Sequence, residues 1–170
     1  LTSAATIVAK GAPLRSSDAQ AIASVLASCA HGGGPSALLL FNGAIRNRGV
    51  SFLADALATC GKGGDGVRTL CLGANALGCG AARALADVLH TCRLTSLSLE
   101  DNPRCGSAAA AHFAKALRRN PPLATLSLCR CGVGDDGARA LAVALPWATK
   151  LRSLALDGNC VGDEGLVALA

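Results

Sequence analysis

The chain is poor in the residues that usually fill a large irregular core. Its 170 residues include three Phe, one Trp and no Met. An interior without aromatics has to be built from Leu, Ala and Val, which suits many small layers of the same kind. The lack of Met excludes a complete primary translation product, so the chain is expected to be a processed chain or a piece of a longer protein. Long apolar runs are also missing. Leu38-Leu39-Leu40-Phe41 is far too short to cross a bilayer and is followed at once by Asn42 and Gly43, so it reads as a strand. No membrane segment is expected.

Clustered charge is lacking too. The net charge is +5, but Arg46, Arg48, Arg83, Arg118, Arg119 and Arg139 are scattered, with no basic stripe interleaved with aromatics. Nucleic-acid binding needs such clustering, so it is not expected. There is no G-x-x-x-x-G-K-[ST] phosphate loop. His31, His90 and His112 have no nucleophile beside them in the pattern, and Cys129-x-Cys131 has no second Cys/His pair to complete a zinc site. The expectation is a non-enzymatic chain with no cofactor and no metal.

What the chain has is rhythm. The segments 67–75, 94–102, 123–131 and 151–159 each read L-x-x-L-x-L-x-x-N/C, with Val67 in the first Leu position. With the final Asn or Cys as position zero, weaker copies place zero at Gly43 and Ala12. The zero positions 12, 43, 75, 102, 131 and 159 are spaced 31, 32, 27, 29 and 28 residues apart. The two long spacings hold the Gly-rich stretches His31–Gly34 and Gly61–Gly66, read as loop insertions. Apolar residues recur at plus two (Leu14, Ile45, Leu77, Val133, Val161), plus ten (Ile22, Leu53, Leu85, Leu141, Leu169) and plus fourteen (Leu26, Leu57, Leu89, Leu145). The last two columns differ by four, one helix face, while the Leu-x-Leu pair differs by two, one strand face. Each unit therefore predicts strand, turn, helix, turn. Repeats of this length describe a solenoid, whose units bury their apolar faces only by stacking.

Local chemistry fits that reading. Gly134-Asp135-Asp136-Gly137 and Gly162-Asp163-Glu164-Gly165 share one register, with acidic residues at a helix N-terminus, where they favour the dipole and can cap free N–H groups. The Asn at zero can bond backbone groups left unpaired by the turn. One unit slips in phase. After Asn102, Phe113 and Leu117 fall at plus eleven and plus fifteen, which predicts one extra residue near Pro103–Gly106 and a local bulge.

Nine Cys raise the question of disulfides. Cys29, Cys60 and Cys92 share the plus-seventeen position on successive helix ends. Packed helices lie about 8–10 Å apart, whereas a disulfide needs Cα atoms within about 7 Å. Most are expected to be small buried thiols, which places the chain in a reducing, intracellular compartment, expected to be the cytoplasm.

The repeat, and above all N/C-x-[LV]-G-D-[DE]-G-x-x-x-L at Cys131–Leu141 and Asn159–Leu169, resembles the ribonuclease-inhibitor-like subfamily of leucine-rich repeats. The resemblance covers nearly the whole chain. It implies an α/β horseshoe, with parallel strands on the concave face and helices on the convex face, serving as a protein-binding scaffold. Residues 1–170 then form a single domain of about six repeats. The subfamily also includes Ran-type GTPase activators, sensor domains of nucleotide-binding receptors and structural subunits of assemblies such as axonemes. The repeat alone does not separate these roles.

If the Leu-x-Leu pairs face inward, the residues between them face outward. That outward surface is mostly small and hydroxylic, and its bulkier features are Phe41, Asn42, Glu100, Asp101, Arg130 and Asp157. These six are the expected partner-binding residues. An alternative stays open: Arg130 could simply neutralise Glu100, Asp101 and Asp157 in a surface ion-pair network. Trp147, beside Pro146, is expected in an outer loop, either as a lid over the helix–strand junction or as an exposed anchor for a partner.

Overall fold

The computed structural model describes residues 5–10, 14–29, 34–60 and 66–170. Six strands alternate with six helices. The strands are β1 (Thr6–Lys10), β2 (Ala37–Phe41), β3 (Thr69–Cys71), β4 (Ser96–Ser98), β5 (Thr125–Ser127) and β6 (Ser153–Ala155). The helices are α1 (Ser16–Ser28), α2 (Arg46–Cys60), α3 (Cys79–Val88), α4 (Gly106–Leu117), α5 (Asp135–Ala144) and α6 (Asp163–Leu169). A 3-10 turn, Leu145–Trp147, extends α5. The strands form one parallel sheet in sequence order, and each helix packs on the next. Their register aligns Thr6, Ala37, Thr69, Ser96, Thr125 and Ser153 across the sheet. Position zero of the first unit and residues 31–33 and 61–65 of the Gly-rich stretches lie outside the described residues.

The core lies between sheet and helices. Both Leu of the Leu-x-Leu pair are fully buried in β2 through β5, from Leu38 and Leu40 to Leu126 and Leu128. They meet Leu53, Leu85 and Leu141 at plus ten and Phe113, all with no exposed surface. Each such side chain contributes about 1.5–3 kcal/mol through burial. Every unit supplies the same few groups, so the core needs few aromatics.

The phase slip has a specific origin. Arg15 bridges to Ala44, and Gly134 to Cys160, in both cases plus three to plus one of the next unit. Gly78 instead bridges to Arg104, at plus two. Pro103 is therefore the extra residue. It pushes Cys105, buried at 1% exposure, into the apolar slot that Leu77 and Val133 fill elsewhere. The hydrogen bond with the Cys131 thiol, and then burial, hold the Cys105 thiol well above the usual cysteine range. Gly106 then takes a left-handed φ of 62°, and its N–H reaches the Cys131 carbonyl at 2.8 Å.

Helix capping differs from the simplest sequence expectation. Asp135 does not cap its own helix. Its Oδ1 accepts from Gly162 N at 2.7 Å and from Gly165 N at 3.1 Å, in the following unit. Ser107 Oγ accepts from Gly134 N at 3.0 Å, and Asn47 Oδ1 from Gly78 N at 2.8 Å. A polar side chain in the first turn of one helix thus satisfies an orphan N–H at the start of the next. Stacking turns what reads as a local cap into an inter-repeat bond.

All nine cysteines are free thiols; five are buried, Cys29 and Cys71 are half-buried, and Cys79 and Cys160 are exposed. No helix among the described residues is long and apolar enough to cross a membrane.

Candidate interaction surface

The outward face of the sheet is set by the strand period. Thr69, Ser96 and Thr125, and Cys71, Ser98 and Ser127, alternate with the buried Leu and stay partly exposed. The strands β3 to β6 are only three residues long, and the chain then turns sharply. The residue just before position zero makes that turn. Asn42, Ala74, Asp101, Arg130 and Gly158 all adopt left-handed φ between 51° and 68°. Four of these five are not Gly, although this conformation costs an L residue roughly 1–2 kcal/mol. The carbonyl–amide bonds between units repay part of it. Asn42 N donates to Gly73 O at 3.1 Å, Ala74 N to Glu100 O at 2.9 Å, Asp101 N to Cys129 O at 3.1 Å and Arg130 N to Asp157 O at 2.8 Å. These turns aim Asp101 and Arg130 out of the surface, side by side.

Three of the six expected residues come together around one guanidinium. Arg130 Nη2 donates to Glu100 Oε1 at 2.6 Å and to Asp101 Oδ2 at 3.0 Å, while its Nε donates to Asp101 Oδ1. The three side chains remain roughly half exposed, between 41% and 52%, so solvent screening keeps their contribution to stability small. Phe41 and Asn42 form a second group. With Lys10, Glu100 and Asp101 they line a shallow recess of about 190 Å³. Gly73 forms its floor, because a Cβ there would stand 3.1 Å from Phe41 Cδ1. Asp157 does not pair with Arg130. Its Oδ2 accepts from the Cys129 thiol at 3.4 Å. The ion-pair alternative therefore describes Glu100 and Asp101 and fails for Asp157.

Lys10 and Gly73 belong to the site although the sequence reading did not single them out. Both stand in the outward column of Phe41 and Glu100, two residues before zero, so register alone could have found them. Trp147 lies outside this surface and is 59% exposed, which excludes a lid role. Among the described residues no group of three His, Cys, Asp or Glu side chains could hold a metal ion.

Arg130 holds the Asp101 carboxyl below the usual carboxylate range, chiefly by hydrogen bonding. A carboxylate with a depressed folded pKa stabilises the fold above its unfolded pKa of about 4 and loses that contribution as pH falls through the folded value. Arg130→Met should therefore flatten the acid limb. Between pH 5 and pH 2, on the order of the Asp titration range, its urea midpoint should fall less than that of the parent chain. Parallel midpoints would contradict the coupling.

Comparison with known proteins agrees with the geometry. A family model described as Leucine Rich repeat matches residues 119–142 and 148–170. A stretch of 105 residues, 61% of this chain, is 36% identical to Protein NLRC5 of Mus musculus. The chain spans only 5% of that relative's length. The six-stranded parallel sheet with its six helices, together with these matches, gives the chain the fold of an α/β leucine-rich-repeat solenoid. Its architecture is a protein-interaction repeat scaffold.

Proposed function

We propose that the chain is a non-catalytic binding module of the ribonuclease-inhibitor-like kind, forming one repeat domain, and that it grips a protein partner through the outward face of its sheet. Phe41, Asn42, Glu100, Asp101, Arg130 and Asp157 are the contact residues. The observation that carries this reading is the state of Arg130. Its Nε and Nη2 are held by Glu100 and Asp101, which fixes the plane of the guanidinium, while Nη1 makes no hydrogen bond among the described residues. A preorganised Arg with one free edge can take a partner's carbonyl or carboxylate at little ordering cost. The adjacent recess offers a Phe ring and two carboxylates with spare lone pairs. Nine free thiols support an intracellular setting, and the short, mostly hydroxylic strands give nucleic acid no basic track.

The test is affinity capture from a cell lysate with the parent chain and with a variant carrying Glu100→Ala, Asp101→Ala, Arg130→Ala and Asp157→Ala. The quadruple variant should lose the partners that the parent retains, with affinity down by roughly tenfold or more, as expected when an interface Arg is removed. Unchanged recovery of every partner, with circular dichroism showing a folded variant, would refute the reading.

A further inference from the structure

We infer that the convex surface carries a second docking site, a groove between α3 and α4 that takes an acidic protein segment. The groove has a volume of about 220 Å³ and is lined by Arg83 and Asp87 from α3 and by His112, Lys115 and Arg119 from α4 and its C-terminal turn. Ala86 and Ala116 form its small floor, so the cleft is open because neither helix places a bulky side chain there. Its charge is unbalanced. Asp87 makes one loose contact with Arg83, 3.9 Å between side chains that are 71% and 73% exposed. Lys115 and Arg119 have no ion-pair partner among the described residues. The next helix row is different: Arg139 there is held by Asp136 and by Glu164, the latter at 2.7 Å. Cations left unpaired on packed helices are complementary to an acidic ligand.

The same face supplies an apolar anchor. Helix α5 and its 3-10 turn pack against α4. They carry Val143 and Trp147, exposed at 64% and 59%. An exposed Trp on the helix row that packs against α4, together with the unpaired cations of α4, matches a segment that alternates acidic and apolar residues. Asp87 favours a polypeptide over a phosphodiester backbone: a peptide brings N–H donors for a carboxylate, while phosphodiester groups bring only acceptors.

Trp147 is the sole Trp and the chain has no Tyr, so its emission reports on this face directly. The probe is a synthetic extended peptide of alternating Glu and Leu residues without aromatics, titrated into the 170-residue chain. A saturable blue shift of the Trp147 emission is expected, weakening as salt is raised. Arg83→Glu, Lys115→Glu and Arg119→Glu together should weaken binding by about tenfold or more, while Arg152→Glu, at an exposed residue that does not line the groove, should leave it unchanged. Trp147→Ala, followed by anisotropy of a labelled peptide, should also weaken binding. No shift at millimolar peptide, or equal binding by the triple variant, overturns the proposal. So does equal or tighter binding of a single-stranded oligonucleotide or of phosphatidylserine vesicles. The quadruple variant of the sheet face should bind this peptide normally, which separates the two sites.

Discussion

Asn102→Ala should destabilise the chain by about 3–5 kcal/mol, the range of losses seen when a buried hydrogen-bond network is broken. Asn102 is fully buried. Its Oδ1 accepts from Asn75 N at 3.0 Å and from Leu77 N at 2.9 Å. Its Nδ2 donates to Leu99 O at 2.7 Å, Leu72 O at 3.0 Å and Glu100 O at 3.1 Å. Five backbone groups from two units converge on one amide. Glu100 O keeps Ala74 N and Leu99 O keeps the Cys131 thiol as donors, but alanine strips Asn75 N, Leu77 N and Leu72 O of their bonds to this amide in an interior that water does not reach, and each unsatisfied buried group costs about 1–3 kcal/mol. Thermal unfolding followed by circular dichroism should show the midpoint down by roughly 10 °C or more. Asn102→Asp should be nearly as severe, since it loses the donors and buries a charge.

Asn75 supplies the internal control. Its Nδ2 donates to Leu40 O at 2.8 Å and Gly73 O at 3.0 Å. Its Oδ1 is buried without a hydrogen-bond partner. The matching backbone N–H groups of the preceding unit, on Gly43 and Ile45, make no bond to it, although Gly43 packs so closely that a Cβ there would lie 2.6 Å from that oxygen. Asn75→Ala therefore removes two bonds and one unsatisfied acceptor, and should cost only about 1–2 kcal/mol. Asn159 repeats the Asn102 pattern, accepting from Cys131 N at 2.9 Å and Val133 N at 3.0 Å. A loss at Asn75 equal to that at Asn102 would mean that the amide ladder is not what holds the units together.

The layers of the fold were legible because stacking repeats the same physical demand. A Leu that misses its column leaves a cavity, so the columns at minus five, minus three and plus ten stand out and even reveal the slip after Asn102. Partners across units were less legible. Asp135 reads as a cap for α5 and caps α6. Asp157 reads as a partner of Arg130 and instead accepts from Cys129. For Asp135 the nearest candidate in sequence lost to one about a repeat away; for Asp157 both candidates lie about a repeat away, and the side-chain geometry of the neighbouring strand chose Cys129 over Arg130, which periodicity does not encode. The left-handed residues before position zero were also hidden. Glycine marks such a turn at Gly158, but Ala74, Asp101 and Arg130 adopt it without any compositional signal. The groove between α3 and α4 depends on which exposed charges find partners, and scattered Arg and Lys residues give no warning of that.

Gly132→Ala should cost about 2–4 kcal/mol, combining left-handed strain with a backbone clash. Gly132 has φ of 73°, and a Cβ there would stand 2.6 Å from the Pro103 carbonyl oxygen. The dihedral alone is not decisive, because Ala76 holds the same repeat position at φ 53°. The obstacle is Pro103, the extra residue of the fourth unit. A backbone carbonyl inside a bulge cannot swing aside as a side chain can. Gly158→Ala makes the contrast: φ is 68°, but the atom in the way is Arg130 Cγ at 2.7 Å, in the methylene stem of a half-exposed side chain that can shift while its guanidinium stays held. That variant should lose only about 1 kcal/mol. Deleting Pro103 places Arg104 at plus one and Cys105 at plus two, the register of the other units, and removes the carbonyl that blocks Gly132. The deletion should therefore rescue Gly132→Ala, with the double variant more stable than the sum of the two single losses by at least about 1 kcal/mol. Urea denaturation of the four proteins measures that coupling. Simple additivity would show that Pro103 is not what forbids a side chain at residue 132, and the bulge would then have no energetic link to the fifth unit.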